Sequence, residues 1–457
     1  MYSNKENVNI LTALLVAYGV RHVVVCPGSR NAPLVHNFNT HPALQCYGVT
    51  DERSAGFYAL GVAQATSERV AVCVTSGTAL LNLAPAVAEA YYQQRPLIVI
   101  SADRPPQWID QLDGQTLPQP DALGRFVRRA VTLPEPRDDE ERWYCNRLVC
   151  EALVETAGPV HINVPISEPL FDFTVDQLPR QRVIERVGQP ISDQLLATIA
   201  DRWQQAERPM LISGQPLNLH LDEAVWLARD DVRYVPDFVL YTGGSIVSKR
   251  AKHFLRRAGE TWSVNATGEV NDTFQNLTRV IVGDGARVAA HIRQLEAAQP
   301  KPFTVLWDEL LAIADRHAAD YAPAYSQMAA VKYFEQQLSA LYPQPSTAHV
   351  HYANSTAIRL ANIYAHHPIW CNRGVNGIEG SLSTAAGFSL AASPCPSASH
   401  NDGDATFCVI GDLSFFYDQN ALWNQHLRGN LRILLLNNGR GGIFNQLSMG
   451  MKTKCTM

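Results

Sequence analysis

The stretch from Thr406 to Asn438 restricts the possible folds more than any other part of this chain. Thr406-Phe-Cys-Val-Ile410 and Leu431-Arg-Ile-Leu-Leu-Leu436 are short apolar runs of the kind that form strands buried on both faces. A helical pattern from Asp418 to His426 lies between them. Strand, helix, strand is a β-α-β unit, and its two strands are therefore parallel and end at the same sheet edge. Gly411-Asp412-Leu413 leaves one strand at that edge, and Asn437-Asn438 leaves the other. Open α/β sheets bind ligands there. A carboxylate, a side-chain amide and a main-chain carbonyl are the hard oxygen donors that a diphosphate-bound Mg²⁺, or Mn²⁺ in its place, takes beside phosphate oxygens, with Asp412 and Asn438 as candidate ligands. Asp and Asn are also common turn residues, so two ordinary strand-end loops fit the same spacing.

The rest of the chain repeats this architecture. Strand-like runs at Arg21 to Val25, Val70 to Thr75, Pro96 to Ser101 and Val160 to Val164 alternate with helical segments and predict a parallel sheet covered on both faces. A second α/β segment carries runs near Met210 to Ser213, Asp237 to Tyr241, Arg279 to Val282 and Phe303 to Leu306. The 457 residues suit about three domains at the usual ~150 residues each. The expected division is residues 1–180, 181–322 and 323–457, three doubly wound α/β domains of which the third is C-terminally incomplete. Ala391 to Asp404 is expected to be a surface loop. No run reaches the ~18 apolar residues of a membrane span. A net charge of −5 leaves no basic footprint for nucleic acid. Basic clusters at Arg128-Arg129 and from Lys249 to Arg257 are short and suit solvated helix faces. Nine cysteines without a CxxC pair suit small core residues in a reducing, cytoplasmic compartment. No GxGxxG follows a strand, which excludes the simplest dinucleotide-binding reading.

Thr50-Asp51-Glu52-Arg53 opens a helix rich in small residues, and Val74-Thr75-Ser76-Gly77-Thr78 runs from a strand into a turn that suits close approach of a cofactor. Together they resemble the pyrimidine-binding domain of thiamine diphosphate enzymes. Such enzymes need a carboxylate beside N1′ of the aminopyrimidine, and Glu52 is the candidate. In chain order stand Cys26-Pro-Gly-Ser-Arg30, Thr50-Asp-Glu-Arg53, Ser101-Ala-Asp-Arg-Pro-Pro106, Asn372-Arg-Gly-Val-Asn-Gly-Ile-Glu-Gly380 and Gly411-Asp-Leu-Ser414. From about Asn9 to Leu447 the chain resembles the 2-succinyl-5-enolpyruvyl-6-hydroxy-3-cyclohexene-1-carboxylate (SEPHCHC) synthases of menaquinone biosynthesis. The Pro-Gly-Ser-Arg and Ala-Asp-Arg-Pro-Pro segments discriminate, because the metal motif and Glu52 belong to the wider superfamily.

The resemblance implies a thiamine diphosphate-dependent transferase that decarboxylates 2-oxoglutarate and adds the succinyl carbanion to isochorismate. It implies that Arg30, Arg104, Ser355, Arg359, Arg373 and Lys249, with Arg250 beside it, meet substrate, and that Gln115 hydrogen-bonds in the active site. Thr75, Gly77, Gly411, Leu413 and Ser414 would line the cofactor, Ile378 would sit beneath it, and Ile443 and Phe444 would close the pocket. Arg440 would lend its carbonyl to the metal. A homodimer or dimer of dimers with shared active sites is implied as well. After Leu447 the chain leaves the family pattern, which is the basis for expecting an incomplete third domain. His22, His36, His161 and His351 fall in apolar or strand segments and are expected to be satisfied structural histidines.

Overall fold

A computed structural model describes residues 1–187, 191–214, 220–343, 348–392 and 405–439. Fourteen described strands form three wholly parallel sheets. The first contains β1 (His22–Val25), β2 (Gln45–Gly48), β3 (Val70–Val74), β4 (Leu97–Asp103), β5 (Arg129–Thr132) and β6 (Val160–Pro165), in the spatial order β2-β1-β3-β4-β6-β5. The second contains β7 (Pro209–Ile212), β8 (Phe238–Tyr241), β9 (Glu260–Asn265) and β10 (Leu277–Val282), in the order β10-β9-β8-β7. The third contains β11 (Ala348–Tyr352), β12 (Ile369–Trp370), β13 (Ala405–Gly411) and β14 (Leu431–Leu436), in the order β12-β11-β13-β14.

These orders decide where ligands can sit. In the first sheet the chain goes one way from β1 to β2 and the other way to β3, which opens a crevice outside the carboxyl ends of β1 and β3. The third sheet reverses in the same manner between β11 and β13. Such switch points are where open parallel sheets take ligands. The second sheet advances in one direction only and has no reversal among its described strands.

The first and third sheets share one core. The helix Glu52–Thr66 is buried at every position from Ser54 to Gln64, and Ser381–Ala391 is buried from Ser381 to Leu390. Their small-residue sequences suit that enclosure, because a helix surrounded on all sides has no polar face to present. At their crossing a Cβ on Gly61 would stand 2.0 Å from the Thr384 carbonyl oxygen, and one on Gly387 would stand 2.2 Å from that of Tyr58. The backbones are therefore in contact, and glycine is the residue that permits it. Leu382, Ala385 and Ile410 continue the apolar cluster that begins at Val24, Val72 and Val99.

Arg128-Arg129 is not on a helix face: Arg129 opens β5, and Arg128 pairs with Glu269 at 3.0 Å and lies over the Tyr91 ring. Two further expected elements differ. Phe303 to Leu306 is not a strand but the start of the helix Pro302–Asp320. Proline at its first turn suits a helix N-terminus, and Phe303, Trp307, Leu310 and Ala314 are its buried stripe at helical spacing. The crossover helix runs over Asp412–Asp418, followed by a 3₁₀ turn at Gln419–Leu422, where the sequence suggested Asp418 to His426. The helix thus starts directly at the strand end. Asn424, past the 3₁₀ turn, spends its side-chain amide on the Ala421 carbonyl at 3.0 Å and its carbonyl on the His426 N–H at 3.0 Å, local bonds that compete with a helix. The expected loop from Ala391 to Asp404 and the tail beyond Gly439 lie largely or wholly outside the described residues.

Candidate active site

The first switch point gathers Arg30, Glu52, Thr75, Gly77, Arg104 and Gln115 from the loops after β1, β2, β3 and β4. A Cβ on Gly28 would stand 2.3 Å from the Thr75 Cβ, so the β1 loop lies against the end of β3. Thr75 Oγ1 is buried there without a hydrogen-bond partner among the described residues. Gly77 adopts φ +84, and its N–H donates to Gln119 Oε1 at 2.7 Å. The backbone of Gln115, itself at φ +57, lies 3.3 Å from where a Gly77 Cβ would stand. Glu52 is half-buried and accepts a hydrogen bond on Oε2 from Asn82 Nδ2 at 3.1 Å.

Arg30 is buried at 5% exposure, donates to the Ile166 carbonyl at 2.8 Å and pairs with the exposed carboxylate of Glu168 at 2.9 Å. Arg104 pairs with Asp113 at 3.0 Å. Burial and then the charge of Arg104 pull Arg30 below its ordinary value, while Glu168 and Asp113 pull it back up. Two guanidinium groups thus share one electrostatic site, each held by a carboxylate of the chain. Arg104 is positioned by a buried polar chain: its N–H donates to Asp103 Oδ1 at 2.8 Å, Asp103 Oδ2 accepts from Asn163 at 2.8 Å, and Gln119 donates to Asn163 Oδ1 at 2.8 Å.

The second switch point gathers Ser355, Arg373, Ile378, Gly411 to Ser414 and Asn438. Gly411 and Leu436 are register partners, so Asp412 and Asn438 leave neighbouring strands at the same edge. Asp412 is 8% exposed and accepts the Leu413 N–H at 2.8 Å, whereas a Cβ on Gly411 would meet no described atom within 4 Å. Ser414 Oγ donates to the carbonyl of Ile378, whose side chain is exposed. Ser355 stands at φ +73, a region that a side chain disfavours and that recurs at ligand-binding positions. It precedes the helix Thr356–Tyr364, which carries Arg359, and makes no side-chain capping bond to it.

Cations collect beside it. Lys249 and Arg359 border one cleft of about 320 Å³ together with Ser248 and Asn362. Lys249 is the first residue of the helix Lys249–Leu255, an end where the helix dipole disfavours a positive charge, so local stability does not explain it. Arg250 in contrast is held by Asp222 at 2.7 Å. Burial, then the charges of Arg373 and Lys249, lower Lys252 from its ordinary value, and burial lowers Arg373.

Arg440, Ile443 and Phe444 lie outside the described residues. Sequence reasoning passed over three side chains that shape the site. Glu89, buried inside the helix Ala84–Tyr92, accepts the N–H groups of Gly374 at 2.6 Å and Val375 at 2.7 Å and so fastens the loop of the second site to the first domain. An acid in an otherwise apolar helix was its available signal. Asn354 donates to the Asn372 and Gly377 carbonyls at 2.7 Å each and accepts from Arg373 at 3.0 Å. Gln119, fully buried, had no signal beyond its neighbouring prolines. Of the four expected structural histidines, His22, His36 and His161 meet Tyr47, the Met1 carbonyl and Ser101. His351 departs from that expectation: its Nε2 is buried without a partner among the described residues, and the ring packs against Trp370 and Phe388 instead.

The residues fit the cofactor expected here on three observations: the orphaned Thr75 hydroxyl, the positive-φ Gly77 that lets backbone approach, and the open strand end at Gly411 beside a buried carboxylate. The sequence model of the family described as "Thiamine pyrophosphate enzyme, N-terminal TPP binding domain" matches residues 6–123. The chain is 44% identical to the 2-succinyl-5-enolpyruvyl-6-hydroxy-3-cyclohexene-1-carboxylate synthase of Bacteroides thetaiotaomicron, over 98% of this chain and 85% of that protein. It is 45% identical, with the same coverage, to the synthase of that name from Bacteroides fragilis. The Porphyromonas gingivalis synthase is 36% identical over 97% of this chain and 84% of its own length. Among the described residues no helix is long and apolar enough to cross a membrane.

Proposed function

The chain belongs to the 2-succinyl-5-enolpyruvyl-6-hydroxy-3-cyclohexene-1-carboxylate synthase family of thiamine diphosphate-dependent enzymes, and from that premise we propose that it decarboxylates 2-oxoglutarate and adds the succinyl carbanion to isochorismate, giving SEPHCHC and CO₂ in menaquinone biosynthesis. The observation that carries this reading is the gathering of cations at both switch points. Both substrates carry two carboxylates, and guanidinium groups read carboxylates bidentately. Arg30 and Arg104 are held by Glu168 and Asp113, which a substrate carboxylate would displace. Lys249, Arg359, Arg373 and Ser355 would serve a second anionic group.

Bound thiamine diphosphate supplies an electron sink for the carbanion left when a 2-oxo acid loses CO₂. Glu52 would hold the proton at N1′ of the aminopyrimidine, and Thr75 and Gly77 would border that ring. Gln115, against Gly77, would hydrogen-bond beside the reacting atoms. Ile378, Gly411, Leu413, Ser414, Ile443 and Phe444 would line the rest of the cofactor. Asp412, Asn438 and the Arg440 carbonyl would ligate Mg²⁺ or Mn²⁺, all oxygen donors as such ions require. Residues 1–180 would form the pyrimidine domain, 181–322 a central domain and 323–457 the diphosphate domain of a cytoplasmic enzyme. Leu413, Phe416 and Tyr417 form an exposed apolar face on the crossover helix, which supports a homodimer or dimer of dimers whose sites are shared between copies.

Substrate choice tests the reading. With thiamine diphosphate and Mg²⁺ present, CO₂ release from 2-oxoglutarate should be rapid only when isochorismate is supplied, and pyruvate should not replace 2-oxoglutarate. Equal use of pyruvate would point to another carboligase and reject the assignment.

A further inference from the structure

Two histidines and an aspartate that the proposed reaction does not use meet at the seam between the middle and third sheets. His220 immediately precedes the helix Leu221–Leu227, Asp315 lies in the last third of Pro302–Asp320, and His366 follows Thr356–Tyr364. His220 Nε2 stands 3.0 Å from Asp315 Oδ1, and His366 Nε2 stands 3.5 Å from the same oxygen. One donor atom of each residue lies within 4.8 Å of the other two. Ligand atoms about 2.0–2.2 Å from a tetrahedral Zn²⁺ are about 3.3 Å from one another. The observed separations bracket that edge length.

We propose that His220, Asp315 and His366 form a divalent transition-metal site of the zinc type that clamps the middle domain to the third. Two imidazole nitrogens and one carboxylate oxygen are a donor set that favours Zn²⁺ over the oxygen-seeking Mg²⁺ and Ca²⁺. His220 is 3% exposed and adopts φ +56, and its N–H donates to the Asn362 carbonyl at 3.0 Å. That bond anchors the backbone at His220, and the ring Nδ1 has no partner among the described residues. Asp315 and His366 have side chains 47% and 58% exposed, so an ion can enter and water can fill the fourth position. The clamp would steady the helix Thr356–Tyr364, since Asn362 and His366 hold its end and Arg359 rides on it.

The simpler arrangement is a pair of His–Asp hydrogen bonds without an ion, and metal binding separates the two. The full chain, loaded with thiamine diphosphate and excess Mg²⁺, is dialysed against graded Zn²⁺, and bound zinc is counted by mass spectrometry. The wild type should hold one zinc per chain more than His366→Ala or Asp315→Asn, whose affinity should be about 100-fold weaker or worse. Co²⁺ in place of Zn²⁺ should give the visible absorption of a tetrahedral ion in the wild type and not in either variant. Both replaced side chains are half-exposed, and unchanged thiamine diphosphate affinity would report intact folding; should one variant fail to fold, the other gives the reading. Equal zinc in the wild type and a folded variant, or none in the wild type, overturns the proposal. Neither result depends on which substrates the enzyme uses.

Discussion

Glu52 is the residue at which the proposed chemistry is tested most directly. Its Oε2 accepts from Asn82 at 3.1 Å, and Asp51 before it caps the helix at Ser54 N–H, 3.2 Å away. Replacing Glu52 with Gln keeps size and the helix cap while removing the group that would hold the pyrimidine proton. Turnover should fall by about 10²–10⁴-fold. The thiamine diphosphate affinity measured by calorimetry should change little, because the diphosphate would be held at Asp412. Unchanged turnover would remove Glu52 from the mechanism. Residues such as Glu52, Arg30 and Arg104 were legible because each sits in a short motif directly after a strand, and the parallel sheet delivers those loops to one edge. Glu89 and His220 were not legible. Each acts through a partner hundreds or scores of residues away, Gly374 for one and Asp315 for the other, and nothing in local spacing records such a meeting. His351 failed for a related reason, since its neighbours Trp370 and Phe388 come from later elements and offer no acceptor.

Asp418 joins two elements. From the end of the crossover helix it accepts the N–H and the hydroxyl of Ser383, both at 2.7 Å, and so ties that helix to the start of Ser381–Ala391. Burial raises its carboxyl from 3.8 to about 6, with the Ser383 bonds opposing the rise. The native state therefore holds a proton that the unfolded chain has already lost between about pH 4 and pH 6, and stability from this group falls as pH rises through that window. Against Asp418→Asn, which cannot ionise, the wild type should lose roughly 2–3 kcal/mol of unfolding free energy from pH 4 to pH 6.5. Denaturant titrations of both proteins across that range measure the difference; parallel pH profiles would contradict it. Strands such as β3 and β13 could be read from continuous β-branched and apolar runs. The run Phe303 to Leu306 could not, because three apolar residues and a threonine fit a buried strand or one helical turn equally, and only the later Trp307, Leu310 and Ala314 reveal the longer period. Three parallel sheets were nonetheless evident, since alternating patterns recur through the chain. Their strand order was not, because which strand neighbours which depends on packing between faces that all look alike in sequence.

At the scale of the whole molecule, the exposed face of Leu413, Phe416 and Tyr417 is an apolar surface that a single copy leaves uncovered among the described residues. Phe416→Asp should weaken association between copies by at least about 100-fold, or ~3 kcal/mol, as loss of a central apolar anchor does. Sedimentation velocity should then show a monomer where the wild type sediments as a dimer or larger, and thiamine diphosphate binding should fall with it. A wild type that is already monomeric at working concentration would dismiss the shared-site arrangement. Within one copy, the contact of Gly61 with Thr384 and of Gly387 with Tyr58 has its own outcome. Two peptide chains that touch without intervening side chains cannot slide or part by rotamer changes. The first and third sheets are thereby welded into a single rigid chassis, so the loops at their two ligand-binding edges keep a constant spacing, and whatever gives way when a substrate enters must be carried by the remaining, separately cored sheet or by the seam between copies.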